Sequence, residues 1–285
     1  MALPKPRLLP LSHKASILYH SLFDYPLTAT ELKHWRLDIN KAGFSAAQIL
    51  NLKFEITNNL YHLHNKQKSV ALREKRSKYA ENKFKLAKQA AGFLQKFPSI
   101  NFIGITGSLA MHNTKRSDDI DLMIITKQGT LWTTRLLATS YLLLATSLSL
   151  RRRSSKSEQD KLCLNIWMDE TDLIIKKQSL FTAHEILQIK PLLDRNRTYE
   201  KFMKINKWAL EYWPSAKCRN IKTERLEMGR LAQLGVKLLE PVAYILQRRH
   251  MRSHITNETV TLTSAFFHPV DWNKKVKTKL KKYYR

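Results

Sequence analysis

Two short stretches decide the fold of this chain: Gly104-Ile105-Thr106-Gly107-Ser108-Leu109-Ala110 and Ser117-Asp118-Asp119-Ile120-Asp121-Leu122. An apolar strand over Ile100–Ile105 is predicted to lead into Gly107 and Ser108, and the residues that follow favour a helix. Glycine lets the backbone approach a ligand closely, and amides at a strand-to-helix turn can face phosphate oxygens. The Ser108 hydroxyl adds a further donor, so the first stretch is typical of a phosphate-binding loop.

The second stretch predicts two carboxylates on one face of a strand. Asp119 and Asp121 are separated by one residue, and alternate residues of a strand point to the same side of the sheet. The apolar residues Leu122–Ile125 bury this strand and hold the carboxylates in place. Two carboxylates beside a phosphate-binding loop can bind a hard divalent cation, Mg²⁺ or Mn²⁺, that bridges the oxygens of a nucleoside triphosphate.

Together the two stretches resemble the signature of the DNA polymerase β-like nucleotidyltransferase superfamily. The resemblance extends over nearly the whole chain to bacterial proteins described only as nucleotidyltransferase-domain-containing, whose substrate is unassigned. The segments that carry it are Phe23–Thr28, Thr106–Met111, Cys163–Asn165, Ala183–Glu185, Lys190–Leu192, Asn206–Trp208 and Phe267–Pro269. The resemblance implies transfer of a nucleoside monophosphate from a triphosphate to an acceptor hydroxyl. Gly107 and Ser108 would bind the nucleotide, and Asp119 and Asp121 would bind the metal and serve catalysis.

Enzymes that this chain resembles usually carry a third carboxylate on the next core strand. Here that strand is predicted over Leu162–Met168, and strict alternation puts Cys163, Asn165, Trp167 and Asp169 on one face. Asn165 can ligate a cation through its carbonyl oxygen but cannot act as a base. Asp169 follows at the end of the strand, where solvation is expected. An acid is therefore missing where the resemblance leads us to expect one.

His184 and Glu185 are a second pair of candidates, on a helix predicted over Thr182–Gln188. Neighbouring residues on a helix point in different directions, so the two do not form a metal pair by spacing. His184 is interpreted first as a core or capping residue. The alternative is that one of the pair reaches the cleft as a general base.

The missing acid leaves two functions open. One is an active nucleotidyltransferase, and the other is a catalytically weak or inactive nucleotide-binding regulatory module that binds nucleic acid. An antibiotic-modifying enzyme is disfavoured, because a pocket for cationic drugs needs more acidic residues than this chain offers.

The chain is strongly basic. It has 50 Lys or Arg and 23 Asp or Glu among 285 residues, a formal net charge of +27. This charge favours a polyanionic partner, RNA or DNA above all, although a generally basic proteome would explain it too. Cys163 and Cys218 have no zinc-ligand spacing, which indicates a reducing, cytoplasmic environment. Met1–Pro10 lacks the apolar core of a secretory signal.

One segment imitates a membrane helix. Leu136–Leu150 carries no charge and is followed by Arg151, Arg152 and Arg153. It is shorter than the roughly 20 residues that a membrane span requires. We therefore expect a buried helix that packs on the sheet, and no membrane partner.

The order of predicted elements gives an α+β fold in four parts. Residues 12–68 have the three helices and hairpin of a winged-helix-like unit, and residues 69–97 form a basic linking helix. Residues 98–195 form the nucleotidyltransferase core, and residues 196–285 form a helical region with a basic tail.

The third helix of the N-terminal unit is predicted over Ser45–Thr57, and it is poor in cations. A helix that reads bases usually presents Arg, Lys, Asn or Gln to the groove. We therefore expect nucleic-acid binding to be mostly electrostatic and weakly sequence-specific, through Lys66, Lys68 and Arg73–Lys88.

Overall fold

The structure is a computed structural model that describes residues 9–151, 157–252, 259–267, 271–281 and 283. The N-terminal stretch before residue 9, Arg152, Arg153, His268–Pro269 and part of the basic tail lie outside the described residues. The helices are α1 Leu11–Ser21, α2 Ala29–His34, α3 Ala46–Leu50, α4 Lys68–Leu94, α5 Gly107–Ala110, α6 Leu131–Ala145, α7 Leu180–Gln188, α8 Thr198–Ile205, α9 Ala209–Tyr212, α10 Arg230–Met251 and α11 Trp272–Lys281. The strands are β1 Phe54–Thr57, β2 Leu60–Leu63, β3 Ile100–Ile105, β4 Ile120–Thr126, β5 Leu162–Asp169, β6 Lys190–Asp194, β7 Thr259–Val260 and β8 Ser264–Phe266.

A six-stranded mixed sheet has the order β6-β3-β4-β5-β8-β7. β4 and β5 are parallel, and the other neighbouring strands are antiparallel. The three strands predicted from the sequence are β3, β4 and β5, which lie side by side. The end of β3 therefore meets the start of β4, where the two decisive stretches are found.

Apolar side chains cover both faces of this sheet. On one face, Ile103 of β3 packs with residues of α4, α6 and α10. On the other, Phe102 and Met123 pack with residues of the N-terminal helices and of α7, α8 and α9. Asp121 has the same parity in β4 as Met123, so its side chain emerges on the side of α7 and the N-terminal unit.

The N-terminal residues form α1, α2, α3 and the β1–β2 hairpin, and they share one hydrophobic core with the sheet. The prediction of a helix over Ser45–Thr57 is wrong, because the helix ends at Leu50 and β1 begins at Phe54. Asn58 and Asn59 have φ of 49° and 62°, as a type I′ hairpin turn requires. This asparagine pair starts the turn, so the residues before it pair as a strand.

The basic helix α4 directs three of its cations inward. Arg73 forms two hydrogen bonds of 2.8 Å with the Glu31 carboxylate, and Arg76 donates to the Phe23 carbonyl at 3.0 Å. Lys83 is 1% exposed and lies 2.7 Å from Asp160. These residues tie the N-terminal unit and the loop before β4 to the helix, so they are neither a solvated face nor free to bind phosphate.

The membrane-like segment is only partly buried. α6 ends at Ala145 and buries Ala138 and Leu142, but Leu144 is exposed. The prediction that the whole of Leu136–Leu150 packs on the sheet is therefore wrong. Among the described helices, none combines the length and the apolar character needed to cross a bilayer.

The helical region that follows the core begins with two short helices, α8 and α9. Asn206 is buried between them, accepts from the Ile175 amide at 2.8 Å and donates to the Leu173 carbonyl at 2.7 Å. These bonds fix a preceding loop and end α8 at Ile205. The long C-terminal helix α10 begins at Arg230.

Candidate functional site

Gly107 lies at the centre of the candidate site, where β3 ends. Its φ is +63°, a left-handed conformation that glycine adopts without steric cost. A Cβ atom at this position would lie 2.5 Å from Asp121 Oδ2. The Thr106 amide also donates to the Asp121 carbonyl at 3.0 Å. The two stretches that were singled out in the sequence therefore meet here, and only glycine leaves room for the carboxylate.

Asp119, Asp121 and Cys163 lie together at the start of β4 and β5. One ligand atom from each lies within 4.8 Å of the other two, because Asp121 is the register partner of Cys163 on the neighbouring parallel strand. Burial and the two nearby carboxylates raise the pKa of the Cys163 thiol, so it stays protonated at neutral pH. The structure thus brings together the predicted carboxylate pair and a cysteine to which the sequence assigned no role.

Asn165 occupies a β-bulge in β5. The register with β4 shifts between Leu164 and Ile166, so Asn165 is left without a partner on that strand, and such bulges re-aim side chains. Asn165 Nδ2 donates to Asp121 Oδ1 at 2.6 Å. The Asn165 Oδ1 atom is buried and has no hydrogen-bond partner among the described residues. The amide thus stands at the carboxylate pair with one unused acceptor.

The bulge also corrects the predicted face of β5. Trp167 packs on the opposite side of the sheet with Leu162, so the alternation that grouped it with Asn165 is wrong. Asp169 lies at the far end of β5, opposite Thr126. Its carboxylate accepts from the Gly129 amide at 2.6 Å and the Thr171 amide at 2.9 Å. The structure does not bring Asp169 together with Asp121.

Arg151 is the cation nearest to the carboxylate pair in the described part of the chain. Its Nη1 lies 2.7 Å from Asp119 Oδ2, and its Nη2 lies 2.6 Å from Glu158 Oε1. Asp121 has no such partner among the residues that the structure describes, and burial together with the charges of Asp119 and Glu185 raises its pKa well above the usual range. The two carboxylates therefore differ: Asp119 is paired with an arginine, whereas Asp121 accepts an amide hydrogen bond and has a raised pKa.

Glu185 reaches the same site from α7. Burial raises the pKa of Glu185 to about 7, although hydrogen bonds from Gln188 and from the Gly107 backbone act to lower it. Gln188 Nε2 donates to Glu185 Oε1 at 2.6 Å and to the Gly107 carbonyl at 3.3 Å. α7 therefore holds Gly107 in place and brings a third carboxylate to the carboxylate pair.

His184 faces away from that site. Its Nε2 lies 3.2 Å from His20 Nε2, and its ring contacts Tyr19, Trp35 and Trp213. Burial and the neighbouring His20 hold its pKa well below the usual value. The structure therefore places His184 in an aromatic core, as the first interpretation of the sequence expected.

Ser108 is exposed, and its hydroxyl lies 3.4 Å from Asp118 Oδ2. The Asp118 carboxylate accepts a shorter hydrogen bond, of 2.8 Å, from the Lys115 amide, and this bond shapes the loop before β4. Within the described part of the chain this long contact is the one hydrogen bond of the Ser108 hydroxyl, and its exposure leaves it accessible to a ligand at the loop.

The donor set at the carboxylate pair fits a divalent metal ion. Carboxylate oxygens of Asp119 and Asp121 and the unused carbonyl oxygen of Asn165 are the hard ligands that Mg²⁺ and Mn²⁺ prefer. The protonated Cys163 thiol is a poor ligand for either ion. A metal bound here would compete with Arg151 for Asp119.

A basic cleft of about 430 Å³ opens next to the loop before β4. No acidic side chain of the described chain lines it, and its walls are Leu72, Lys75, Arg76, Tyr79, Lys115, Arg116, Ser117 and Gln159. Lys83 fixes the loop by donating to the Arg116 carbonyl at 3.2 Å and to the Asp118 carbonyl at 2.5 Å. The cleft ends two residues before Asp119.

Sequence reasoning missed Arg151 and Gln188. Arg151 was noticed only as the flank of an apolar segment, and its pairing with Asp119 depends on a contact across 32 positions. Gln188 lies three residues after Glu185, which is helical spacing, and this is the one local signal that could have joined it to the site.

No protein-family model matches the chain, and no curated protein matches it. A solved structure described as "Crystal structure of the toxin-antitoxin with AMP-PNP" is 14% identical, covers 43% of this chain and 89% of that chain, and superimposes with a TM-score of 0.27. A similarity of this size does not establish a shared fold, so the site must be interpreted from its own residues.

Proposed function

We propose that this protein is a metal-dependent nucleotidyltransferase, which moves a nucleoside monophosphate from a triphosphate to an acceptor hydroxyl. The observation that carries the proposal is the approach of Gly107 to Asp121, where a side chain as small as a methyl group would collide with the carboxylate. A phosphate-binding loop pressed against a carboxylate pair is what joint binding of triphosphate and metal requires. The resemblance of these two stretches to the DNA polymerase β-like superfamily supports the same chemistry.

Asp119, Asp121 and the Asn165 carbonyl would hold the metal, which supplies charge stabilisation to the phosphates when bound. The protein's own groups would do the rest. Ser108 would donate its hydroxyl to a phosphate oxygen. Arg151 would give up Asp119 in the metal-bound state and would pair with the triphosphate, because a guanidinium group can form two parallel hydrogen bonds with one phosphate.

Glu185 would act as the general base. A carboxyl group with a pKa of about 7 is matched to proton transfer near neutral pH. The acceptor oxygen would bond to the α-phosphorus while the bond to the bridging oxygen breaks and pyrophosphate leaves. Glu185 would take the proton of the acceptor hydroxyl. This assignment gives the site its third acid, from α7 in place of β5.

A nucleic acid is the acceptor that the surroundings favour. In the basic cleft, Lys75, Lys115 and Arg116 can contact phosphates, and Tyr79 offers a ring for stacking a base. We further propose that residues 12–68 form a winged-helix-like unit, followed by the linking helix, the nucleotidyltransferase core and the C-terminal helices. Its α3 has five residues, and Gln48 is bonded to the Ser45 amide at 3.0 Å. Base reading by α3 is therefore not part of the proposal.

A regulatory module that binds nucleotide without turnover is the alternative. Two observations favour it: Arg151 already neutralises Asp119, and Asn165 donates to Asp121 where an acid would be expected. In this case Glu185 would help to hold Gly107 in place and would transfer no proton.

The decisive experiment incubates the full chain with each labelled nucleoside triphosphate, with Mg²⁺ or chelator, and with or without total RNA. We expect label in RNA only with Mg²⁺. Asp119→Asn and Asp121→Asn should lose both nucleotide binding and transfer, whereas the exposed Asp271→Asn should behave as wild type. Binding without transfer to RNA or protein would establish the module. Equal triphosphate binding in chelator would refute the metal role in both functions.

A further inference from the structure

The helix α10 presents its apolar side chains to solvent. Seven large residues of this helix are between 55% and 86% exposed: Leu231, Leu234, Leu238, Leu239, Val242, Ile245 and Leu246. At 3.6 residues per turn they occupy an arc of roughly 140° on one side of the helix. Monomeric proteins rarely leave a continuous apolar surface of this kind uncovered.

Polar side chains on the opposite side fix this orientation. Glu240 accepts from the Trp132 and Thr133 amides at 2.6 and 2.9 Å, and so caps the first turn of α6. Gln247 donates to the Trp132 carbonyl at 2.7 Å. Rotation of α10 to bury its leucines would break these bonds and leave the α6 amides unpaired. The hydrogen bonds therefore keep the apolar face of α10 turned towards solvent.

The neighbouring helix also exposes apolar side chains. α6 packs against α10 and leaves four leucines partly or largely exposed: Leu136, Leu137, Leu143 and Leu144. An arc of 140° on α10 is broader than the narrow seam that a single partner helix covers. The dimensions therefore favour an extended apolar medium over one docked helix.

The charges of α10 select the partner. Its exposed ionisable residues are all basic: Arg230, Arg248, Arg249 and His250, with Arg252 directly after the helix, and Lys237 is half-buried. The single acid, Glu240, is buried. A second copy of the chain would bring these cations against each other at a net charge of +27 each. Helix partners usually offer charges of both signs at their edges, which this helix does not.

We propose that α10 binds the surface of an anionic phospholipid bilayer. Its Leu and Ile side chains enter the boundary between headgroups and acyl chains, and its cations meet the lipid phosphates, which is the pattern of an interfacial amphipathic helix. The helix lies in the plane of the membrane and does not cross it. This binding site is independent of the proposed nucleotide site.

The test is flotation of the full chain with vesicles of phosphatidylcholine alone or of phosphatidylcholine with about one third phosphatidylglycerol, in 0.1 and 0.5 M KCl. A protein of this charge will adsorb to anionic vesicles at low salt in any case, and high salt screens that attraction. Apolar insertion persists at high salt. We therefore expect wild type to float with the anionic vesicles at both salt concentrations and not with phosphatidylcholine alone.

The variant Leu238→Gln/Ile245→Gln keeps every charge and should lower the high-salt partition coefficient by about tenfold or more, since two apolar anchors are lost. The matched control, Leu50→Gln/Ile174→Gln, removes exposed residues outside α10 and should remain within about twofold of wild type. Circular dichroism checks folding, and Leu231→Gln/Leu246→Gln repeats the test at other positions. Equal binding by wild type and both variants, or binding only at low salt, would overturn the proposal. A dimer that dissociates in the α10 variant, without vesicle binding, would assign the face to a second copy.

Discussion

Replacement of Gly107 by alanine tests whether the phosphate-binding loop and the carboxylate strand are built against each other. At a φ of +63° a Cβ atom costs about 1–2 kcal/mol in backbone strain. It would also lie 2.5 Å from Asp121 Oδ2, so the carboxylate must move and give up the hydrogen bond from Asn165. Loss of that bond costs about 1–3 kcal/mol. We expect Gly107→Ala to lower the free energy of unfolding by about 2–5 kcal/mol.

Gly43→Ala is the matched control. Gly43 has a φ of +73°, and a Cβ atom there would meet nothing within 4 Å. The Gly43→Ala variant has the backbone strain without the collision, so it should lower the free energy of unfolding by about 1–2 kcal/mol. Urea denaturation followed by circular dichroism measures both variants, and an unchanged slope shows that stability alone has changed.

A double-mutant cycle isolates the contact. Asp121→Ala removes the carboxylate that collides with the new methyl group, so Gly107→Ala should cost less in that background than in wild type. If Gly107→Ala destabilises no more than Gly43→Ala, or if its cost is unchanged when Asp121 is alanine, the close approach that carries the proposed function does not exist.

Three further predictions concern buried ionisable groups. Lys83→Ala removes the ion pair with Asp160 and the hydrogen bonds to the Arg116 and Asp118 carbonyls, and it should cost about 1–3 kcal/mol, against nearly nothing for the exposed Lys85→Ala in the same denaturation assay. His20 has its pKa lowered to about 4 by burial, and that of His184 is lowered too. Below pH 6.5 these histidines therefore bind protons in the unfolded chain but stay neutral in the folded chain. The stability that they contribute above pH 6.5 is lost as the pH falls towards 4. Over that pH range the free energy of unfolding of the variant His20→Phe/His184→Phe should fall by about 3 kcal/mol less than that of wild type. Thermal melts at several pH values measure this, and an equal dependence of stability on pH in both proteins would contradict it. Cys163 should react with a thiol reagent far more slowly than the exposed second cysteine at pH 8, as mass spectrometry of the labelled peptides will show, because burial and nearby carboxylates raise its pKa.

The local part of the site could be predicted from the sequence, because it depends on residues close in the chain. Asp121 lies on an apolar strand that Asp119 directly precedes, and Gly107 follows shortly after the end of another, so their proximity follows from strand pairing alone. The β3, β4 and β5 strands were found for the same reason: short apolar runs between turn residues. What alternation could not supply was the bulge at Asn165, since one extra residue shifts every later side chain to the other face.

Residues that depend on distant contacts could not be predicted. Arg151 pairs with Asp119 across a segment that carries no pattern linking them. Glu185 was weighed as a base, but its meeting with Gly107 depends on how α7 packs against the sheet. The orientation of α10 was hidden for a further reason. Its apolar stripe predicts a buried face, and only the contacts of Glu240 show that the helix is turned the other way.

The cations behind the net charge of +27 fall into two groups, those paired inside the protein and those exposed on its surface. Only the second group can bind an external partner. Arg73, Arg76, Lys83 and Arg151 are tied to carboxylates or carbonyls inside the protein, so they support the fold around the site and add little to an outer surface. Other cations are exposed: Lys75, Lys115 and Arg116 line the basic cleft, and Arg230, Arg248 and Arg249 lie on α10. Electrostatic binding depends on the cations that reach the partner's phosphates and not on the formal total. The proposed nucleic acid at the cleft and the proposed lipid surface at α10 would therefore contact separate sets of cations, and variants of one set should leave the other interaction intact.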